Sequence, residues 1–180
     1  MEALTRLAGL GALVTLLTAC ATAPASGTNS TPGRHATFAA TTDAIIAQAQ
    51  QKLQAQPDDW RAVDLLAGAY LQKVREVGDP TYYPKVEALL TRALTQNPSD
   101  AEATTLMGTL ALARHQFGSA LQWGTKARAL DPHNARALGV SGDADIELGR
   151  YPDAVASFQH MVDLRPDLSA YARVSYAREL

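Results

Sequence analysis

AEATTLMGTLALARHQFGSALQWGTKARALDPHN, residues 101–134, is followed directly by ARALGVSGDADIELGRYPDAVASFQHMVDLRPDL, residues 135–168. The two stretches are variants of one 34-residue unit. Gly108 corresponds to Gly142, Phe117 to Tyr151, Ala120 to Ala154 and Leu130 to Leu164. Each unit breaks near its middle, at Arg114-His115-Gln116-Phe117-Gly118 and at Leu148-Gly149-Arg150-Tyr151-Pro152. Pro98, Pro132 and Pro166 recur at the same spacing of 34. A proline lacks the amide donor and clashes with the preceding helical turn, so it ends one helix and fixes the turn into the next. Each unit therefore predicts a helix, a tight turn and a second helix. The paired glycines and alanines let the helix backbones approach closely.

Outward from this pair the pattern continues. Pro57 precedes Pro98 by 41 residues, so the first unit (60–100) carries seven extra residues. They are expected between its two helices, around Gly78-Asp79-Pro80-Thr81-Tyr82, as a surface loop, since loops accept insertions at small entropic cost. In residues 43–56, Ile45, Ile46, Ala49 and Leu53 form an apolar helical stripe. This predicts a lone second helix that caps the array, with Thr42 or Asp43 at its start. Residues 169–180 read as the first helix of a fourth, partial unit, with Tyr171, Val174, Tyr176 and Leu180 apolar. That bare helix suggests that the array continues past Leu180 or docks on something. The count is about eight helices.

Composition agrees. Ala and Leu dominate, β-branched runs are absent, and Gly and Pro sit between periodic segments, an all-α balance. The net charge of −2 gives no basic face for nucleic acid. The period, the small-residue positions and the terminal proline resemble the tetratricopeptide repeat. The resemblance covers Trp60 to Leu180 and implies a right-handed superhelical solenoid over 57–180. Two departures stand out. Gly124 occupies the place of Phe158, with Trp123 beside it as a substitute filler, and Asp145 occupies the place of Tyr70.

In such solenoids the first helix of each pair lines a concave groove. By resemblance the groove stripe holds Arg61, Asp64 and Gln72, then Glu102, Thr105 and Thr109, then Arg136, Asp143 and Glu147, then Arg173. It is polar and mixed in sign, which suits an extended peptide or a helix. Relatives that clamp the C-terminal carboxylate of heat-shock chaperones use Lys, Asn and Arg there. Asp64, Thr105, Thr109 and Asp143 do not fit that role, because acidic groups repel a carboxylate.

The N-terminus carries a separate message. Met1 to Arg6 holds one basic side chain, Leu7 to Leu17 is almost wholly apolar, and Thr18-Ala19 precedes Cys20, the only cysteine. Charged head, apolar middle and small-residue exit make a secretion signal. Its apolar part is too short for a bilayer, which needs ~20 apolar residues. Leu17-Thr18-Ala19-Cys20 resembles the lipobox of bacterial lipoproteins. The resemblance implies removal of 1–19 and acylation of Cys20, hence a membrane anchor facing the periplasm or exterior, at the outer membrane if the host has one. Without a second cysteine no intrachain disulfide forms. Residues 20–42 are rich in Ala, Thr, Ser, Pro and Gly and read as a flexible tether reaching ~25 Å.

Catalytic signatures are absent. His115, His133 and His160 lack ligand spacing, and Asp143 and Asp145, two apart on a helix, diverge. There is no Gly-rich phosphate loop and no Gly-x-Ser-x-Gly. The expected function is a non-enzymatic scaffold that recruits a protein or peptide partner in the bacterial envelope, without cofactor, metal or small-molecule substrate. The alternatives are the docking part of a larger enzyme or transport protein, and a secreted scaffold without an anchor.

Overall fold

The computed structural model describes residues 34–180, with side chains from residue 41 onward. The signal segment, Cys20 and the first part of the tether lie outside the described residues. Eight helices and no strand occur among those described: α1 (Arg34–Ala55), α2 (Trp60–Val77), α3 (Tyr82–Gln96), α4 (Ala101–Ala113), α5 (Phe117–Leu130), α6 (Ala135–Glu147), α7 (Tyr151–Leu164) and α8 (Leu168–Glu179). None is long and apolar enough to cross a membrane. Each helix packs on the next, and α2, α4, α6 and α8 also touch in sequence, as the first helices of stacked pairs do.

The turns follow from a few residues. Asp59, Asp100, Asn134 and Asp167 each cap a first helix, their side-chain oxygens accepting from the amides of Ala62, Ala103, Ala137 and Ala170 at 3.0–3.1 Å. These caps satisfy amides that have no partner within the helix. Between the helices of a pair, His115 (φ 57°) and Gly149 (φ 73°) hold equivalent left-handed positions. The Gln116 and Arg150 amides then reach back to the Ala111 and Asp145 carbonyls at 2.8 Å, closing each helix in the same way.

Three expectations change. First, α1 starts at Arg34, inside the stretch read as tether. Thr42 is therefore within the helix rather than capping it, buried, and donates its hydroxyl to Glu76 at 2.7 Å. The Asp43–Lys73 ion pair at 2.6 Å also fastens α1 to α2. The alanines that give this segment its low-complexity look are also good helix formers.

Second, the seven extra residues of the first unit are mostly helix. α2 has 18 residues where α4 and α6 have 13. The loop after it is only Gly78 to Thr81, and Tyr82 begins α3. Gly78, at φ 69°, ends α2 and donates to the Val74 carbonyl at 2.7 Å.

Third, Trp123 does not fill the place of Phe158 alone. Phe158 is buried on Gly142, where an added Cβ would overlap its ring. One unit earlier, Val140 of α6 enters the corresponding space. Its Cγ1 would lie 2.7 Å from a Cβ on Gly108 and 3.2 Å from one on Gly124. Trp123 packs beside it with Leu112, Leu121 and a trio of buried alanines, Ala111, Ala120 and Ala144.

The largest apolar cluster lies at the N-terminal end. Val63, Leu66, Ala67, Tyr70 and Leu71 of α2 pack with Val86 and Leu90 of α3, Leu106 and Leu110 of α4 and Ala49 of α1. At the other end Val174 and Ala177 seat α8 on Ile146, Ala154 and Phe158. Leu168, Tyr171 and Tyr176 of α8 are exposed.

Candidate functional site

Two of the cavities along the row of first helices take in most of the stripe. One, of about 440 Å³, lies at the N-terminal ends of α2, α4 and α6 and is closed on one side by α1. Thr42, Ile45, Trp60, Arg61, Asp64, Leu65, Gly68, Ala69, Gln72, Glu102 and Arg136 line it. The other, of about 630 Å³, lies at their C-terminal ends and includes Arg75, Tyr83, Thr109, Asp143 and Arg173. Eight of the ten stripe residues therefore line the two cavities. Thr105 and Glu147 line neither.

Several of these residues are already engaged. Arg136 pairs with Glu102 across α6 and α4. Both side chains are largely solvated, so this pair is worth at most about 1 kcal/mol. Arg173 grips Asp143 with both Nε and Nη2 at 2.8 Å, joining α8 to α6. Its Nη1 donates to Ser169 Oγ as well. Gln72 accepts from Arg75 and donates to Glu76. Arg61 lies over the Trp60 ring, 4.6 Å from its centroid. Glu147 is exposed at the last turn of α6.

Thr105 is a correction to the stripe. It is 1% exposed, donates to the Ala101 carbonyl at 2.7 Å and accepts from Asn134 Nδ2 at 3.1 Å. It thus belongs to the joint between two repeats and is closed to a partner.

Asp64 occupies the equivalent joint one unit earlier. Counting from the caps, Asp64, Thr105 and Gly139 each lie five residues past Asp59, Asp100 and Asn134. Where Asn134 donates to Thr105, the earlier joint sets Asp100 behind Asp64, and neither carboxylate is a donor. Asp64 is 6% exposed, and both of its oxygens lack any hydrogen-bond partner, as does Asp100 Oδ2. Burial pushes the Asp64 carboxyl up to about 7. The Asp100 and Glu102 charges add to this, and Arg136 opposes it. At the third joint Gly139 leaves room for the Arg173 guanidinium, whose Nε lies 3.6 Å from where a Cβ would be.

Sequence reading missed the apolar contribution to the first cavity. Trp60 and Leu65 are 42% and 45% exposed, and Ile45 and Ala69 complete the wall. The signal was present in α2, where Trp60 and Leu65 are large apolar residues outside the buried face. Among the described residues no three His, Cys, Asp or Glu side chains gather as a metal site.

The likeness to known proteins is one of fold. Residues 111–175 match the tetratricopeptide repeat family. The fold is a tetratricopeptide-repeat solenoid. The chain is similar to a thermophilic tetratricopeptide protein of Thermus thermophilus, with a TM-score of 0.69 at 18% identity over 80% of this chain and 76% of that one. It is also similar to MamA (TM-score 0.59, 17% identity, 81% and 83% covered). The Arabidopsis OM64 tetratricopeptide domain gives a TM-score of 0.53 at 26% identity, over 63% of this chain and 94% of that domain. No curated protein sequence matches the chain.

Proposed function

We propose that this solenoid is a non-enzymatic scaffold that holds a peptide or helix of a protein partner along the row α2–α4–α6–α8, anchored to a bacterial envelope membrane through Cys20. The observation that carries the groove is the first cavity. It sets exposed Trp60 and Leu65 beside charged Arg61, Glu102 and Arg136, and exposed aromatic and apolar groups with a polar rim mark interaction sites. The anchor rests on Leu17-Thr18-Ala19-Cys20 and the lone cysteine.

Crosslinked affinity capture of the full chain from its host's membranes tests the groove. A parallel capture with Trp60→Ala and Leu65→Ala together should lose the partner while the fold, followed by circular dichroism, persists. A partner retained by that variant would remove the first cavity from the reading. The anchor is tested separately by labelling cells with a palmitate analogue. Label should enter the wild-type chain and not Cys20→Ser, and an unlabelled wild-type chain would sink lipidation.

A further inference from the structure

From the unpartnered carboxyl of Asp64 at the base of the first cavity, we infer that this end of the groove takes a cationic side chain of the partner, a lysine or arginine whose stem is flanked by apolar residues. The inference rests on the groove reading above and names the chemistry of what enters it. Three observations converge. Asp64 is more than nine-tenths buried, lines the cavity, and offers two oxygens with no donor in the folded chain. The next joint along shows what is missing, since there Asn134 supplies the donor that Thr105 accepts. The walls around Asp64 are apolar, with Ile45, Trp60, Leu65 and Ala69. A long cationic side chain matches such a site, burying its methylenes on the walls while its charged head meets the carboxylate.

The charged groups facing Asp64 sort the possibilities. Asp100, capping α4, and Glu102 of α4 add negative charge, and only Arg136 of α6 opposes. Arg136 is already paired with Glu102, and Arg61, the other cation lining the cavity, lies over the Trp60 ring, so with Asp64 ionised three carboxylates stand against two engaged arginines. An anionic ligand would meet repulsion from three carboxyls. Because the free carboxyl sits at about 7, an arriving ammonium or guanidinium replaces a proton, which leaves to solvent. Binding is therefore coupled to proton release and weakens below neutral pH.

The test starts from a displayed library of random dodecapeptides selected on the full chain and, in parallel, on Asp64→Asn. Peptides enriched on wild type should share a Lys or Arg next to apolar residues, and Asp64→Asn should lose that enrichment. Calorimetry of one enriched peptide, repeated at pH 7 in buffers of different ionisation heat, should show release of about half a proton. The same peptide should bind Asp64→Asn about tenfold more weakly, with no proton released. Thermal melting of the variant checks that it is folded. Enriched peptides that are neutral or acidic, or a basic preference unchanged in Asp64→Asn, would overturn the cation site and leave the peptide groove standing. No enrichment on either chain would overturn both.

Discussion

Asp64→Asn is expected to stabilise the protein at pH 8 and to change little below pH 4. The folded carboxyl ionises near 7 instead of at its ordinary 3.8. Below 3.8 both folded and unfolded chains carry the proton, and the group contributes nothing to the pH dependence. Between 3.8 and 7 the folded chain retains a proton that the unfolded chain has released, so stability falls as pH rises. Above 7 the penalty is complete. Roughly three pH units at 1.36 kcal/mol each give about 4 kcal/mol, an upper value because relaxation and water entry soften burial. A neutral amide carries no such charge. Above pH 7 its Nδ2 also supplies the donor that the ionised Asp64 and Asp100 carboxylates lack, as Asn134 does for Thr105. Urea unfolding of both proteins from pH 4 to pH 9 measures the effect. The difference between the two curves should open through the range 4 to 7 and flatten above it, with equal m-values. Parallel curves, or a variant less stable than wild type at pH 8, would mean that the carboxylate is satisfied and that the orphaned joint does not exist.

Other substitutions probe the joints and turns. Gly142→Ala drives a methyl into the buried Phe158 ring and should cost about 1–3 kcal/mol despite alanine's better helix propensity. Phe158→Leu should cost less in that background than alone, and equal costs in a double-mutant cycle would refute the contact. Gly68→Ala meets only Leu106 Cδ2, at 3.8 Å, and should instead gain about 0.5–1 kcal/mol in urea unfolding. Gly149→Ala should lose about 1–2 kcal/mol from its left-handed backbone alone, because nothing lies within 4 Å of the new methyl. His115→Gly should gain about 1 kcal/mol, reduced by the lost edge contact with Phe117. Arg173→Ala releases α8 from Asp143, and amide exchange within α8 should quicken about tenfold while α2–α4 is unchanged.

The fold was legible because repetition corrects local ambiguity. A single glycine such as Gly142 could be a bend, a close contact or an accident, but Gly108 at the same register makes close contact the economical reading. The same logic located both mid-unit turns, even though His115 holds a backbone conformation that Gly149 adopts far more easily. Repetition fails where a unit is unique. The seven extra residues of the first unit had no counterpart to align with, and glycine and proline drew them into a loop. Most of them extend α2, whose run from Leu71 to Val77 keeps helical periodicity up to Gly78. The start of α1 was missed for a related reason. Alanine and threonine read as tether when no apolar stripe accompanies them, yet Thr42 is buried and donates to Glu76.

The site was only half legible, because a polar residue on a helix face has the same appearance in sequence whether it is solvated, paired or stranded. Glu102 with Arg136 and Asp143 with Arg173 are opposite charges on the first helices of successive units, yet only the stacking register determines which acid meets which base. Thr105 and Asp64 look alike as stripe residues, and both proved buried. What separates them is the capping residue behind each, asparagine for Thr105 and aspartate for Asp64. That pairing can be read once the caps are aligned in place of the prolines, since Asp59, Asp100 and Asn134 set the helix starts more directly than Pro57, Pro98 and Pro132 do. On that alignment one register position carries Asp, Thr, Gly and Ala in turn, and the acid stands out as the member with no structural use. A repeat protein fills its joints with whatever packs most simply. A buried acid at a joint, facing a second acid and no donor, is costly to fold, and its presence beside the exposed ring of Trp60 is most economically explained by a cation that arrives from outside the chain.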